Sequence, residues 1–160
     1  MLIIVLVPVF CNFTFNFSLP LVYNLTIKIM FTLDQISEAH SKVKSGADFP
    51  QYVQDLIKLE VLHYSTFVDD GHTIYFGKEN HRIQSPAKYP VFKIAAHGNN
   101  EKFAADLKKH QTGQTDYSTF CRDAAESGVE KWTVDLSKMT CTYYDRSGNT
   151  MLTENIPSPK

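Results

Sequence analysis

"DYSTFCRDAAESGVEKWTVDLSKMTCTYYDRSGNTM", residues 116–151, lies without a gap over "DFPQYVQDLIKLEVLHYSTFVDDGHTIYFGKENHRI", residues 48–83. The shift is 68 residues, from Asp48 to Asp116. Tyr52 meets Phe120, Asp55 meets Asp123, Val61 meets Val129, Tyr64 meets Trp132 and Tyr75 meets Tyr143. Identities are few, but both stretches open on a helix-capping aspartate and continue with apolar residues at helical spacing. Both then pass into the alternation of strands. A self-match at one fixed shift is the mark of a repeated unit. It predicts an α+β fold in which two similar helix-helix-β-hairpin units pack around one mainly antiparallel sheet. The identical "YSTF" at 64–67 and 117–120 falls at another shift and would set a strand on a helix start, so it is coincidence.

Upstream of the first unit, "KIMFTLDQISEAH", residues 28–40, announces a helix. Thr32 and Gln35 make a T-x-x-Q capping box, and Phe31 and Ile36 flank it as a hydrophobic staple. Leu33, Ile36, His40 and Val43 then share one face of a helix expected to end at Ser45-Gly46. Asp48 and Pro50 open the next helix, with Phe49, Tyr52, Val53, Leu56 and Ile57 inward. Asp70-Gly71 signals the turn of the first hairpin, and Arg82–Gln84 and "VFKIAA", residues 91–96, read as further short strands. Pro86 and Pro90 bracket the loop between them. In the second unit Phe103, Ala104 and Leu107 face inward, and Asp116 caps the following helix. Gly128 closes that helix as a C′ glycine. Trp132, Val134 and Leu136 alternate against Lys131, Thr133 and Asp135 as a half-buried strand. Glu60 stands where the second unit has Gly128; a left-handed residue is usual there, and a side chain costs about 1 kcal/mol.

Residues 1–29 form an apolar leader whose first 26 residues carry no charge. A basic region and a small-residue cleavage site are both missing, so it is a poor export signal. Pro8 and Pro20 interrupt it as a membrane span, while "NFTFNFSL" alternates like a strand. An upstream extension, a weak signal-anchor and an edge strand are the three readings. The capping box is complete without the leader, so Met30 reads as the start of a single domain over 30–157. Its pseudo-repeats span about 31–98 and 99–157.

The formal net charge of −1 gives no long-range pull on a polyanion. No nucleic acid is therefore expected as a partner. Cys11, Cys121 and Cys141 have neither zinc-knuckle nor redox-pair spacing. They read as reduced thiols, a Cys121–Cys141 bridge remaining open for an exported chain.

Within this frame "HQTGQTDYSTFCRDAAESGVEKWTVDLSKMTCTYYDRSGN", residues 110–149, resembles small uncharacterised proteins of enterobacterial prophages and other bacteria, often labelled "phage envelope protein". The similarity extends over nearly all of Met30 to Pro157. It implies a compact α+β domain of unknown function, beginning close to Met30. It also implies glycine at the position of Glu60, and it implies no activity.

His110, Asp116 and Cys121 are the candidates for a site. Cys121 as a nucleophile needs a base such as His110 in reach and a depressed pKa. The alternative roles are structural: Asp116 caps, Tyr117 and Phe120 pack inward, and Cys121 is a small core residue. A zinc site from His97, His110, Cys121 and Cys141 lacks the close pairs that structural zinc favours, so no metal and no cofactor are expected. His63 and His72, flanking the Asp70-Gly71 turn, are expected as solvated cross-strand neighbours. Trp132, Tyr64, Tyr75, Tyr143 and Tyr144 are expected to form a core stripe. Two functions follow. One is a non-enzymatic prophage accessory protein that binds another protein, in the cytoplasm and away from any membrane if the chain starts at Met30. The other is a small hydrolase or transferase using the polar cluster at 110–121.

Overall fold

The structure is a computed structural model that describes residues 30–43 and 46–159; the leader and Ser45 lie outside them. The first helix, α1 (Leu33–Ser41), opens on the predicted box: the Thr32 N–H donates to Gln35 Oε1 at 2.9 Å and the Gln35 N–H to Thr32 Oγ1 at 3.3 Å. It stops at Ser41, earlier than the glycine suggested, and its inward residues are Ile36 and Ala39. His40 stays exposed, with its ring edge against Tyr52. Asp48 stands at the N-cap of α2 (Phe49–Lys58) but makes no side-chain capping bond, because a short 3₁₀ turn, Gly46–Asp48, already leads into the helix. Ile57 is exposed rather than inward.

Three strands follow: β1 (Val61–Phe67), β2 (Thr73–Gly77) and β3 (Arg82–Gln84). The second unit repeats the order with α3 (Asn100–Gln111), α4 (Tyr117–Glu126), β4 (Val129–Asp135), β5 (Thr140–Asp145) and β6 (Thr150–Asn155). All six strands form one sheet in the order β3-β2-β1-β4-β5-β6, every neighbour antiparallel. The two units thus meet along β1 and β4, and each hairpin has gained a third strand. Equivalence holds at single residues. Val61 pairs with Gly77 and Val129 with Asp145, and each hairpin shifts register just after that pair. Tyr64 faces Tyr75 as Trp132 faces Tyr143.

All four helices pack on one face. Tyr52 lies over Tyr64, Phe103 over Tyr143 and Phe120 over Trp132, in a core that also holds Leu56, Val134 and Cys141. In α3 the buried residues are Phe103, Asp106 and Leu107, while Ala104 is exposed. An aspartate tolerates that position because Lys102 reaches it at 3.1 Å and Lys109 at 2.7 Å; its charge is paired as it leaves water. Glu60 has φ +64° and Gly128 φ +82°, so both junctions are left-handed as predicted.

Residues 91–96 form no strand. They belong to the connection that brings the chain from the outer edge of the first unit to α3. Two of its donors are claimed on the way: Phe92 N–H by the Asp69 carbonyl at 2.6 Å and Ala95 N–H by the Ala125 carbonyl at 2.9 Å. β-propensity is overridden by the topological task of crossing between units.

Candidate functional site

The 110–121 segment joins α3 to α4. His110, in the last turn of α3, donates from Nδ1 to the Thr115 carbonyl at 3.1 Å and stacks on Phe120 with centroids 4.5 Å apart. Asp116 accepts the Thr119 N–H at 2.7 Å, as a cap should, and that bond holds its carboxyl below the usual range. Cys121 is 0% exposed and its thiol is pushed up by burial, beside the hydroxyls of Tyr89 and Tyr117. No hydrogen bond joins Cys121 to His110 or Asp116 among the described residues. The repeat gives a physical account of both buried thiols: Cys121 occupies the place of Val53 and Cys141 the place of Thr73. Thr73 bonds Thr66 at 2.9 Å in the first unit, whereas Cys141 faces Val134 in the second, an apolar counterpart of the same pair. Tyr117 was expected inward; it is 42% exposed, its ring 5.9 Å from the Lys88 ammonium.

The four residues considered for zinc are not grouped. The set that the described residues do gather is Asp69, Asp70 and His72, in the β1–β2 turn, with ligand atoms within 4.8 Å of one another. Its atoms hold the turn: Asp70 Oδ1 accepts the His72 N–H at 2.9 Å and pairs with its ring Nδ1, while Asp69 Oδ1 accepts the Asp70 N–H at 2.9 Å.

The sheet face turned away from the helices is where polarity and aromaticity gather unexpectedly. His63 is not opposite His72. It lies across from Phe76, rings stacked at 4.4 Å, and His72 stacks instead on Phe67 at 4.5 Å. Arg82 lies 5.9 Å from the Phe76 ring, and the Lys131 ammonium sits 5.7 Å from Phe67 and 5.9 Å from Tyr144. Such contacts are worth about 0.5–1 kcal/mol each at exposed sites. Tyr144 therefore leaves the predicted core stripe: adjacent strand residues point to opposite faces, so Tyr143 and Tyr144 cannot both be core. Ile74, pairing with Ser65 on the same face, is buried yet outside the main core. The half-exposed Phe67, Phe76 and Tyr144 stand apart from that core as well. Sequence reasoning missed this patch, although Phe67 and Phe76 fall on the strand positions opposite to Tyr64 and Tyr75.

A cleft of about 300 Å³ opens where β1 runs into its turn. Phe67, Asp69, Val91, Lys93, Glu130 and Arg146 line it. It is thus contiguous, through Phe67, with the aromatic face.

A profile for a family described as protein of unknown function (DUF1398) matches residues 37–155. The chain belongs to this family. None of the curated proteins matches it. The family match spans both units of the DUF1398 chain and therefore the sheet, the aromatic face and the cleft together. Among the described residues no helix of this DUF1398 protein is long and apolar enough to cross a membrane.

Proposed function

We propose that this DUF1398 protein is a non-enzymatic accessory protein that works by binding another protein through the sheet face turned away from its helices. One observation carries the reading: Phe67, Ile74, Phe76 and Tyr144 form an apolar set separate from the core, interleaved with His63, His72, Arg82 and Lys131. Aromatic residues and arginine, here Arg82 over Phe76, are enriched at protein interfaces. The resemblance to prophage proteins supplies the setting, a prophage-encoded factor acting in the host cytoplasm. Nucleic acid is not the partner proposed: the net charge of −1 gives no long-range attraction to a polyanion.

The test is affinity purification from the host with the unmodified protein and two face variants, Phe76→Asp and Lys131→Glu. The expected result is a stoichiometric partner retained by the unmodified protein and lost by both variants, with melting temperatures within a few degrees of one another. Retention of the partner by both variants removes the face from the function.

A further inference from the structure

The chain reaches the first helix of each unit in the same way. The two N-caps, Thr32 and Asn99, stand 67 residues apart, and at that shift the buried Ile36 and Ala39 of α1 answer the buried Phe103 and Asp106 of α3. The residue before each cap also arrives at an equivalent place. Phe31 lies against Gly77, and its counterpart Gly98 comes up to Asp145, which answers Gly77 at the 68-residue shift. One residue further back, Met30 borders Glu60 as His97 borders Gly128.

In the second unit the approaching segment, residues 91–98, lies across the junction of α4 and β4. Ala95 donates its N–H to the Ala125 carbonyl, Phe92 and Ile94 turn inward onto the core, and both line the cleft with Glu130. Ala125 and Ser127 are buried there. In the first unit the counterparts of Ala125, Ser127 and Glu130 are Ile57, Leu59 and Leu62. Ile57 is 39% and Leu62 42% exposed, so larger apolar side chains stand open where the second unit is covered. Apolar side chains gathered at one place on a surface mark a contact site.

A matching cover is written in the sequence. The 67-residue shift sets "NLTIKIMF", residues 24–31, on "VFKIAAHG", residues 91–98. Leu25 and Ile27 fall on the inward Phe92 and Ile94, and Thr26 falls on the outward Lys93. We infer that residues 24–29, which lie outside the described residues, pack across the junction of α2 and β1 and seat Leu25 and Ile27 on Ile57, Leu59 and Leu62. The occupant of this apolar site is the chain's own upstream segment, and its burial is driven by the hydrophobic effect. The folded domain then begins at Asn24 and not at Met30, and residues 1–23 alone remain as a leader. Glu60 is compatible with this path. Gly128 lets the His97 carbonyl approach to where a Cβ would be 2.5 Å away, whereas the Glu60 side chain holds the first unit's segment further off. The space so left is the hollow bordered by Met30, Phe31, Leu59, Glu60 and Lys78.

The test is cross-linking of the full chain with a short bis-maleimide, in a Cys11→Ser background where Cys121 and Cys141 are buried. The pair Ile27→Cys with Leu62→Cys is expected to link within one molecule, with a yield at least tenfold above that of Val5→Cys with Leu62→Cys. Ile27→Asp is expected to lower the melting temperature of the full chain and to raise hydroxyl-radical labelling of Leu62 severalfold, while Val5→Asp changes neither. If Ile27→Asp does not fold, the cross-link yields decide. Equal yields for the two pairs, or a melting temperature and Leu62 labelling that Ile27→Asp leaves unchanged, overturn the inference. Links between the Leu62→Cys sites of two molecules overturn it in favour of a second copy as the occupant.

Discussion

The hydroxyls of Ser65 and Thr133 meet at 2.8 Å across the β1–β4 pair, and these two residues are each other's equivalents, 68 positions apart. In an antiparallel pair, a residue that faces its own repeat-equivalent marks the local two-fold axis. The axis of the two units therefore passes through this hydrogen bond, at the centre of the six-stranded sheet.

Breaking that contact tests how the units hold together. Thr133→Val keeps the shape but removes one partner, leaving a half-buried Ser65 hydroxyl to find water, at a cost of about 1 kcal/mol. The double variant with Ser65→Ala removes both and is expected to recover part of the loss. Urea unfolding of the two variants measures this; equal or greater loss in the double variant would show that the pair does not interact.

The two left-handed junctions differ in an instructive way. Glu60→Gly relieves a side chain at φ +64° and is expected to stabilise by about 1 kcal/mol, because the solvent-screened Lys78 ion pair at 2.8 Å that it gives up is exposed. Gly128→Ala goes the other way and further, because its Cβ would come within 2.5 Å of the His97 carbonyl oxygen in the crossing segment. Thermal melts rank them: Glu60→Gly above the unmodified protein, Gly128→Ala far below. A lower melting temperature for Glu60→Gly contradicts the strain.

Both buried thiols should be unreactive in the folded protein. Burial pushes Cys141 up to about 12 and raises Cys121 too, so little thiolate exists near neutral pH. Alkylation at about pH 8 followed by peptide mapping should leave Cys121 and Cys141 unmodified in the native state and both modified in urea. Rapid labelling of Cys121 in the folded chain would reinstate it as a candidate nucleophile.

Asp106 gives the acid side of the stability curve a specific origin. The Lys109 hydrogen bond, then that of Lys102, lowers its folded pKa despite burial. A depressed carboxylate contributes stability fully above its unfolded value, about 3.9, and loses it as pH falls through the folded value. Asp106→Asn is therefore expected to lower the melting temperature at pH 7 and to flatten its decline below about pH 4. An unchanged acid limb in this variant would assign the pH dependence to other carboxylates.

Much of the architecture was legible because it is set by neighbours in sequence. The Thr32–Gln35 box, the Asp116 cap, the Gly128 terminus and the strain at Glu60 each follow from residues within a few positions, and the 68-residue shift carries the strand alternation with it. Local backbone chemistry fixed these, together with the α+β class, while the β1–β4 ladder that joins the two units is a long-range pairing. Tertiary structure alone decided the rest. It made "VFKIAA" a crossing segment, since the chain must travel from one sheet edge to the other unit. It buried Asp106 in place of Ala104, since two lysines one helical turn on either side neutralise it. It set Tyr144 beside Lys131 on the outer face and parted His63 from His72, because register between distant strands determines which side chains meet. The cleft at Val91 and Lys93 arises the same way, from segments far apart in sequence that only the assembled sheet brings together.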